Sequence, residues 1–432
     1  MTLILNPMAP SVMLVLPTRS YRAAAFLAAA RDLRLEVVVA ADEPSSLGSL
    51  MADRTLTLDP SHPEDAAQRA VAFAARHPVS AVIGVDEAAV SAAAHIAAGL
   101  GLRHNSVEAV SATRDKRELR RRLAARAVAQ PVSTAITSAA TPQELHDAAA
   151  RAGFPCVVKP VDLAASRGVI RANTPAELEA AVARTGHLLR RPELCQPDPA
   201  PLLVESFIPG PEVAVEGLLD GGTLHILAVL DKPDTPDGPF FEETLLVAPS
   251  RLSTDRLDQL VRLTEAAVSA IGLREGPIHA ELRLGPAGAA VIEVAARSIG
   301  GRCSGALRFG DGESLEAKIL RQACGLPLGD LTLASGGAAA LMIPIPGAGN
   351  LERVEGVAAA RAVLGVIAVD ITVAPGALLE PLPEGDRYLG FLITRAADAD
   401  GAELAARQAL SALRIIIAAP RSSDHPGRLA GE

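Results

Sequence analysis

Aromatic side chains are nearly absent: eight Phe, two Tyr and no Trp in 432 residues. That scarcity excludes base-stacking platforms and sugar-stacking clefts, which are built from such rings. Cysteine is scarce too. Cys156, Cys195, Cys303 and Cys324 show neither CxxC pairing nor metal-ligand spacing, as expected for a reduced, cytoplasmic compartment. No uninterrupted apolar run reaches the ~18 residues that a membrane span needs. The apolar stretches near the start (LIL, VMLVL) are broken by Pro7, Pro10 and Pro17 and follow no basic segment, which predicts a buried strand and no signal peptide. Positive charge is in deficit, with 41 Lys and Arg against 50 Asp and Glu. A net charge of −9 argues against nucleic acid or an anionic membrane as partner, because counterion release needs clustered cations. Neither a usable GxxxxGK[ST] loop nor a GxGxxG after a strand occurs.

What is present is enough chain for two or three domains. Strands expected at 11–17, 35–42 and 79–86 alternate with helices expected at 21–33, 62–77 and 88–101. That alternation predicts an open parallel sheet in an α/β layer. Ligands in such sheets sit beyond the carboxyl ends of the strands, which singles out residues 17–21 and Asp86–Glu87; ordinary loop caps are the alternative. A basic helix begins near Thr113, and strands around 154–162, 168–173, 201–208, 212–220 and 223–233 follow. From about Leu331 a mixed α+β portion completes the chain, and the last dozen residues read as a frayed tail.

The strongest chemical signal is HAELRLGPAGAAVIEVAAR, 279–297. Its GPAG turn predicts a hairpin in which Glu281 and Glu293 lie opposite one another. Opposed residues have Cβ atoms ~5 Å apart. Two carboxylates that close repel unless a divalent cation joins them; the alternative is a solvated face with each Glu paired to Arg283 or Arg297. His279 shares the face of Glu281. Arg297 and the SIGG turn (298–301) add a fixed cation and backbone donors for an anion. Phosphoryl transfer uses such parts.

Three further signals stand apart in the sequence. Lys159, ending a strand before Pro160, needs an anionic partner if buried; the loop Ala164 to Gly168 after it has small residues that admit a phosphate, or is a plain surface turn. Lys116 falls in the first turn of a helix that Thr113 could cap, an unfavourable place for a cation unless an anion is bound. Arg117, Arg120, Arg121, Arg122 and Arg126 read as the solvated face of that helix. ESFIPGPE, 205–212, could present backbone groups to a base edge and a carboxylate to a ribose.

Lys116, Lys159, the small-residue loop, ESFIPGPE, the paired Glu281 and Glu293, and Arg297 occur in the order found in ATP-grasp enzymes, and the chain resembles that superfamily over almost its whole length. Within it, KPVDLAASRGV, ESFIPGPEVAVEG and IEVAARSIGG are most similar to carboxylate–amine ligases related to L-amino-acid (dipeptide) ligases. The resemblance implies an ATP-grasp fold. An N-terminal parallel-sheet α/β domain (1–112) would precede the ATP-grasp domain (113–330, lid about 113–203), and a small C-terminal α+β domain (331–432) would follow. It implies that Lys116 and Lys159 hold ATP phosphates. Ser166, Arg167, Gly168 and Val169 would belong to a lid over them, Glu205 and Ile208 would meet adenine, and Glu212 the ribose. Glu281 and Glu293 would bind two Mg²⁺, with Mn²⁺ as a substitute, and Arg297 would stabilise an acyl-phosphate. The implied substrates are a small-molecule carboxylate and amine, amino acids foremost; a homodimer is left open. Two departures stand out. Ala295 replaces the usual metal-binding Asn, and His279, opposite it, is expected to fill that space. Ala164 and Ala165 replace glycines and should stiffen the lid. The alternatives are a purine-pathway or carboxylating relative, a non-catalytic ATP-binding protein, and a phosphotransferase. Residues 238–243 and 298–304 are expected to border the acceptor pocket.

Overall fold

The computed structural model describes residues 10–44, 54–235 and 237–418; the LIL stretch and the C-terminal tail lie outside them. The N-terminal alternation resolves into a four-stranded, fully parallel sheet in the order Thr55–Thr57, Glu36–Ala41, Ser11–Val15, Ala81–Gly84. The central strand is apolar without a break because helices cover both faces: Val12, Leu14 and Phe26 pack on one side, Met13, Val15 and Ile96 on the other. The strand Thr55–Thr57 falls outside the sequence expectation. It is three residues long, too short for a periodicity to register.

The basic helix is Lys116–Ala125. Asp115, not Thr113, is its N-cap, accepting from the backbone N–H groups of Arg117 and Glu118; Thr113 belongs to the last turn of the preceding helix, Val107–Arg114. A four-stranded antiparallel sheet follows in the order Ser133–Thr137, Pro201–Ser206, Cys156–Pro160, Ile170–Ala172. The helix Pro142–Ala152, opened by a Thr141–Glu144 capping box, and the helix Pro175–Leu189 cover one face of it.

The largest sheet has eight strands. The hairpin Gly276–Gly285 and Gly288–Ala295 forms one edge, joined through Glu212–Asp220 and Thr223–Lys232 to Leu245–Ala248. Gly337–Ile343, Gly390–Ala396 and Val366–Ile371 extend the same sheet, which therefore runs across residue 330. Among the described residues no helix is long and apolar enough to cross a membrane.

Candidate active site

The hairpin places Glu281 opposite Glu293 and His279 opposite Ala295. The ladder slips by one residue just beyond Glu281, so that Leu282 faces Val291 and Ile292 is left over. On the other side His279 faces Glu216 and Arg283 faces Glu212. Alternation of side chains then gathers His279, Glu281, Arg283, Glu212 and Glu216 on one face. Glu281, Glu293, His279, Arg297, Lys116 and Glu212 line one cavity of about 140 Å³, whose further wall is the loop at Leu163–Ser166 and Val169.

Nearly every charge in this wall has an internal partner. Lys232 Nζ lies 2.7 Å from Glu212, 2.7 Å from Glu243 and 3.1 Å from Glu281. Burial alone would lower Lys232, but the three carboxylates hold it well above its ordinary value. Glu281, which burial would raise, is held well below its ordinary value by Lys232 and then His279. His279 Nδ1 hydrogen-bonds Glu216, and its Nε2 is 3.5 Å from Glu281. Against the effect of burial, Glu216 raises His279 to about 9. Arg297 Nε donates to Glu87 at 2.6 Å, and Lys116 Nζ lies 3.6 Å from Glu293 while donating to Leu163 O at 2.7 Å. Arg283 pairs with Glu212 at 2.7 Å and donates to Ile208 O at 3.0 Å. The solvated pairing of Glu281 with Arg283 and of Glu293 with Arg297 is thus replaced by other partners.

Lys159, Arg167 and Gly168 do not line this cavity. Lys159 is buried against Glu205 at 2.6 Å, and Arg120 Nε donates to the same carboxylate at 2.6 Å. Burial would raise Glu205, but Arg120 and Lys159 together bring it down to about 2. Arg120 also donates to the carbonyls of Val291 and Ile292, beside Glu293. It is a buried clamp, not part of a solvated face, because the hairpin packs directly over it. Arg117 and Arg121 do stay on the outer face, paired with the N-cap Asp115 and with Glu118 of the first turn. Arg167 Nε donates to Glu384 O at 2.9 Å, and Gly168 N–H donates to Pro383 O at 2.9 Å. Both turn toward the C-terminal portion, while Ser166 and Val169 face the cavity. Ala165 and Ser166 hold φ of +55° and +55°, a conformation glycine adopts without steric cost.

The segment 383–384 that accepts from this loop is itself tied to the flanking helix, where Arg184 makes two hydrogen bonds to the Glu384 carboxylate. Glu384→Ala is expected to raise the rate of limited proteolysis within 162–169 by about two- to fivefold, the range of an exposed ion pair. Mg·ATP should restore protection. An unchanged cleavage rate would show that the tether does not hold the loop.

The SIGG turn does hold an anion, but an internal one: Ile299 N–H donates to Glu216 at 2.9 Å. Residues 298–304 do not border this cavity; Gly301, Arg302 and Ser304 line a separate one. Phe241 and Glu243 of the 238–243 loop do border it. Cys303 is buried beside Met342 and its thiol is pushed well up by burial, so it packs and does not react. Sequence reading missed Lys232 and Glu216, and it misread Arg120 as part of a solvated face. Lys232 carries the same signal as Lys159, a lysine ending a strand before proline (Lys232-Pro233). Glu87 is one of the two residues singled out beyond the third strand, and it reaches the site through Arg297.

Glu281 and Glu293 fit Mg²⁺ by donor chemistry. They are hard oxygen ligands on adjacent strands, with side chains 26% and 29% exposed toward the cavity. No group of three His, Cys, Asp or Glu able to hold a metal occurs among the described residues. Mg²⁺ is usually held by one or two carboxylates, with phosphate oxygens and water completing its shell.

Residues 152–306 match the ATP-grasp domain family, and residues 341–418 match the L-amino acid ligase C-terminal domain 2. The chain is 24% identical to the uncharacterized protein y4rH of Sinorhizobium fredii over 393 residues, 90% of this chain and 79% of that one. It is 27% identical to the alanine–anticapsin ligase of Bacillus subtilis over 253 residues, 55% of this chain and 52% of that one, so it spans about half the length of that relative. The crystal structure of an L-amino acid ligase from Bacillus licheniformis superposes with a TM-score of 0.77 at 25% identity, covering 95% of this chain and 99% of that one. That of N5-carboxyaminoimidazole ribonucleotide synthetase from Thermotoga maritima gives 0.70 at 16% identity, covering 95% and 100%, a likeness of fold.

Proposed function

The chain belongs to the ATP-grasp ligases and carries an L-amino acid ligase C-terminal domain, and on that premise we propose that it joins a carboxylate to an amine, both amino acids, at the expense of ATP. A carboxylate oxygen of the first substrate attacks the γ-phosphorus, and the bond to ADP breaks. The amine of the second then attacks the acyl carbon, inorganic phosphate leaves, and the nitrogen loses a proton as the amide forms. The observation that carries this reading is the convergence of Arg297, Lys116, Glu281 and Glu293 on one cavity.

In this reading residues 1–112, 113–330 and 331–432 act as three domains. Lys116 and the Ser166–Val169 side of the loop bind phosphates, and Ile208 with the Glu205 backbone orients the adenine. Glu212 is held by Lys232 and Arg283, ready to accept from ribose hydroxyls. Glu281 and Glu293 hold Mg²⁺, which neutralises phosphate oxygens when bound. Arg297, oriented by Glu87, faces the charge that builds on the transferring group. Lys159 acts on the site through Glu205. The cavity is smaller than the roughly 300–1,000 Å³ of small-molecule sites, so the 163–169 loop opens to admit the nucleotide.

His279 is a positioning residue, holding Glu281 from the space left by Ala295. His279→Ala is expected to raise the Mg²⁺ concentration for half-maximal activity about tenfold, the scale of losing a ligand's orienting partner. Unchanged Mg²⁺ dependence and turnover would remove this role.

A phosphate-release screen with Mg·ATP, run over pairs of amino acids and over other carboxylates, tests the function. Release that needs both a carboxylate and an amine, with the amide found by mass spectrometry, is expected. ATP turnover without an amine, or turnover only with a ribonucleotide or bicarbonate, would overturn the reading.

A further inference from the structure

The segment 297–302 has two sides. Arg297 lines the nucleotide cavity, whereas Gly301 and Arg302 line a second cavity of about 580 Å³, between the helix Ala23–Asp32 and the segment 301–317. That volume is within the roughly 300–1,000 Å³ of small-molecule sites, and no residue lines both cavities. On the helix side Ala25 and Ala28 are exposed, so the wall there is apolar and low.

Two charged side chains of this wall are buried and incompletely paired. Glu316 is 2% exposed, and its Oε1 has no hydrogen-bond partner among the described residues. Arg22 is also 2% exposed; it donates from Nη1 to Val85 O at 2.7 Å and from Nη2 to Ser298 Oγ at 2.5 Å, and its Nε has no partner among the described residues. A buried polar atom left without a partner costs about 1–3 kcal/mol, and more when it is charged. Such atoms in native structures point to something that satisfies them. Arg22 and Glu316 line the same cavity, so one small molecule can meet both.

We propose that this second cavity binds a zwitterionic amino acid or dipeptide, with its ammonium toward Glu316, its carboxylate toward Arg22 and its side chain on Ala25 and Ala28. The opposite signs of these two buried charges select a zwitterion over a simple anion. Ser298, held by Arg22, is the residue after Arg297, so the occupant sits one wall away from the phosphoryl-transfer centre. The proposal does not rest on the ligase reading, because binding is measured without nucleotide.

The test is titration calorimetry of the full chain, free of ATP, with L-leucine and with L-alanyl-L-leucine; binding of one or both is expected and distinguishes amino acid from dipeptide. L-Leucinamide, lacking the carboxylate, and 4-methyl-2-oxopentanoate, lacking the amine, should bind at least tenfold more weakly. Glu316→Gln should weaken the zwitterion at least tenfold. Ala28→Trp, at an exposed position where folding is spared, should abolish binding by filling the cavity. Both variants should keep the affinity of the parent for Mg·ADP. The proposal is overturned if neither zwitterion binds, or if the A28W protein binds as tightly as the parent. It is equally overturned if inorganic phosphate or the deaminated acid binds as tightly as L-leucine, which would mark an anion site only.

Discussion

Glu293→Ala is expected to reduce amine-dependent phosphate release at least about 10³-fold, a loss of roughly 4 kcal/mol of transition-state stabilisation. Glu293 is cross-strand from Glu281, and its carboxylate faces Lys116 at 3.6 Å. Alanine removes one of two metal-directed carboxylates and takes from Lys116 its nearest carboxylate, leaving its hydrogen bond to the Leu163 carbonyl. The side chain is partly exposed at the cavity, so the fold should be little affected. Circular dichroism and the unfolding midpoint should match the parent while turnover is lost. Glu293→Gln should behave alike, because a neutral amide keeps the shape but not the charge. Retained release in either variant would overturn the assignment of the site.

The second large effect is on stability. Glu205→Ala is expected to cost about 3–5 kcal/mol, since removing one partner of a buried ionic cluster strands the others. Here the stranded groups are Arg120 and Lys159, both buried and both directed at that carboxylate. Urea unfolding at neutral pH reads this directly, and a change below about 1 kcal/mol would show that water or repacking rescues the cations. The pH dependence has a definite sign. The folded-state value of Glu205 is lowered from 4.5 to about 2, so its contribution is fully present above about pH 4.5 and is lost as the pH falls toward 2. The parent should therefore lose stability more steeply between pH 5 and pH 3 than Glu205→Gln, which carries no titrating group there.

These two carboxylates differ in how far the sequence foretold them. Glu293 was legible because hairpin register is local. Counting symmetrically about Ala287 pairs Glu281 with Glu293 and His279 with Ala295, and the structure has those pairs, although it closes the turn at Gly285 and Gly288 and reaches them through the bulge at Ile292. Glu205 was legible only as part of a motif. Its side chain meets Arg120 across 85 positions and Lys159 across 46, and no periodicity links residues so far apart. Arg120 shows the same limit from the other side. Its helix is so rich in arginine that one buried member looks like its solvated neighbours. Lys232 was in reach, because the argument applied to Lys159 before Pro160 holds equally for Lys232 before Pro233.

The scarcity of aromatic rings made a grip on nucleotide through charge and backbone the expectation; the cavity is lined by Lys116, Lys232, Arg283, Arg297 and five glutamates, with Phe207, Phe241 and Tyr388 also in its wall. Sequence also determined the parallel N-terminal layer, the hairpin and the order of the charged motifs, all set by short-range periodicity and turn chemistry. Only the tertiary structure decided which cation answers which carboxylate. It gave Glu205 to Lys159 and Arg120, Glu281 to Lys232 and His279, and Glu87 to Arg297. It also turned Arg167 and Gly168 away from the cavity and opened a second cavity behind the Arg297 turn. The physical reason is that a buried charge is stable only beside its opposite, and that neighbour is chosen by packing between distant segments, which leaves no local pattern to read.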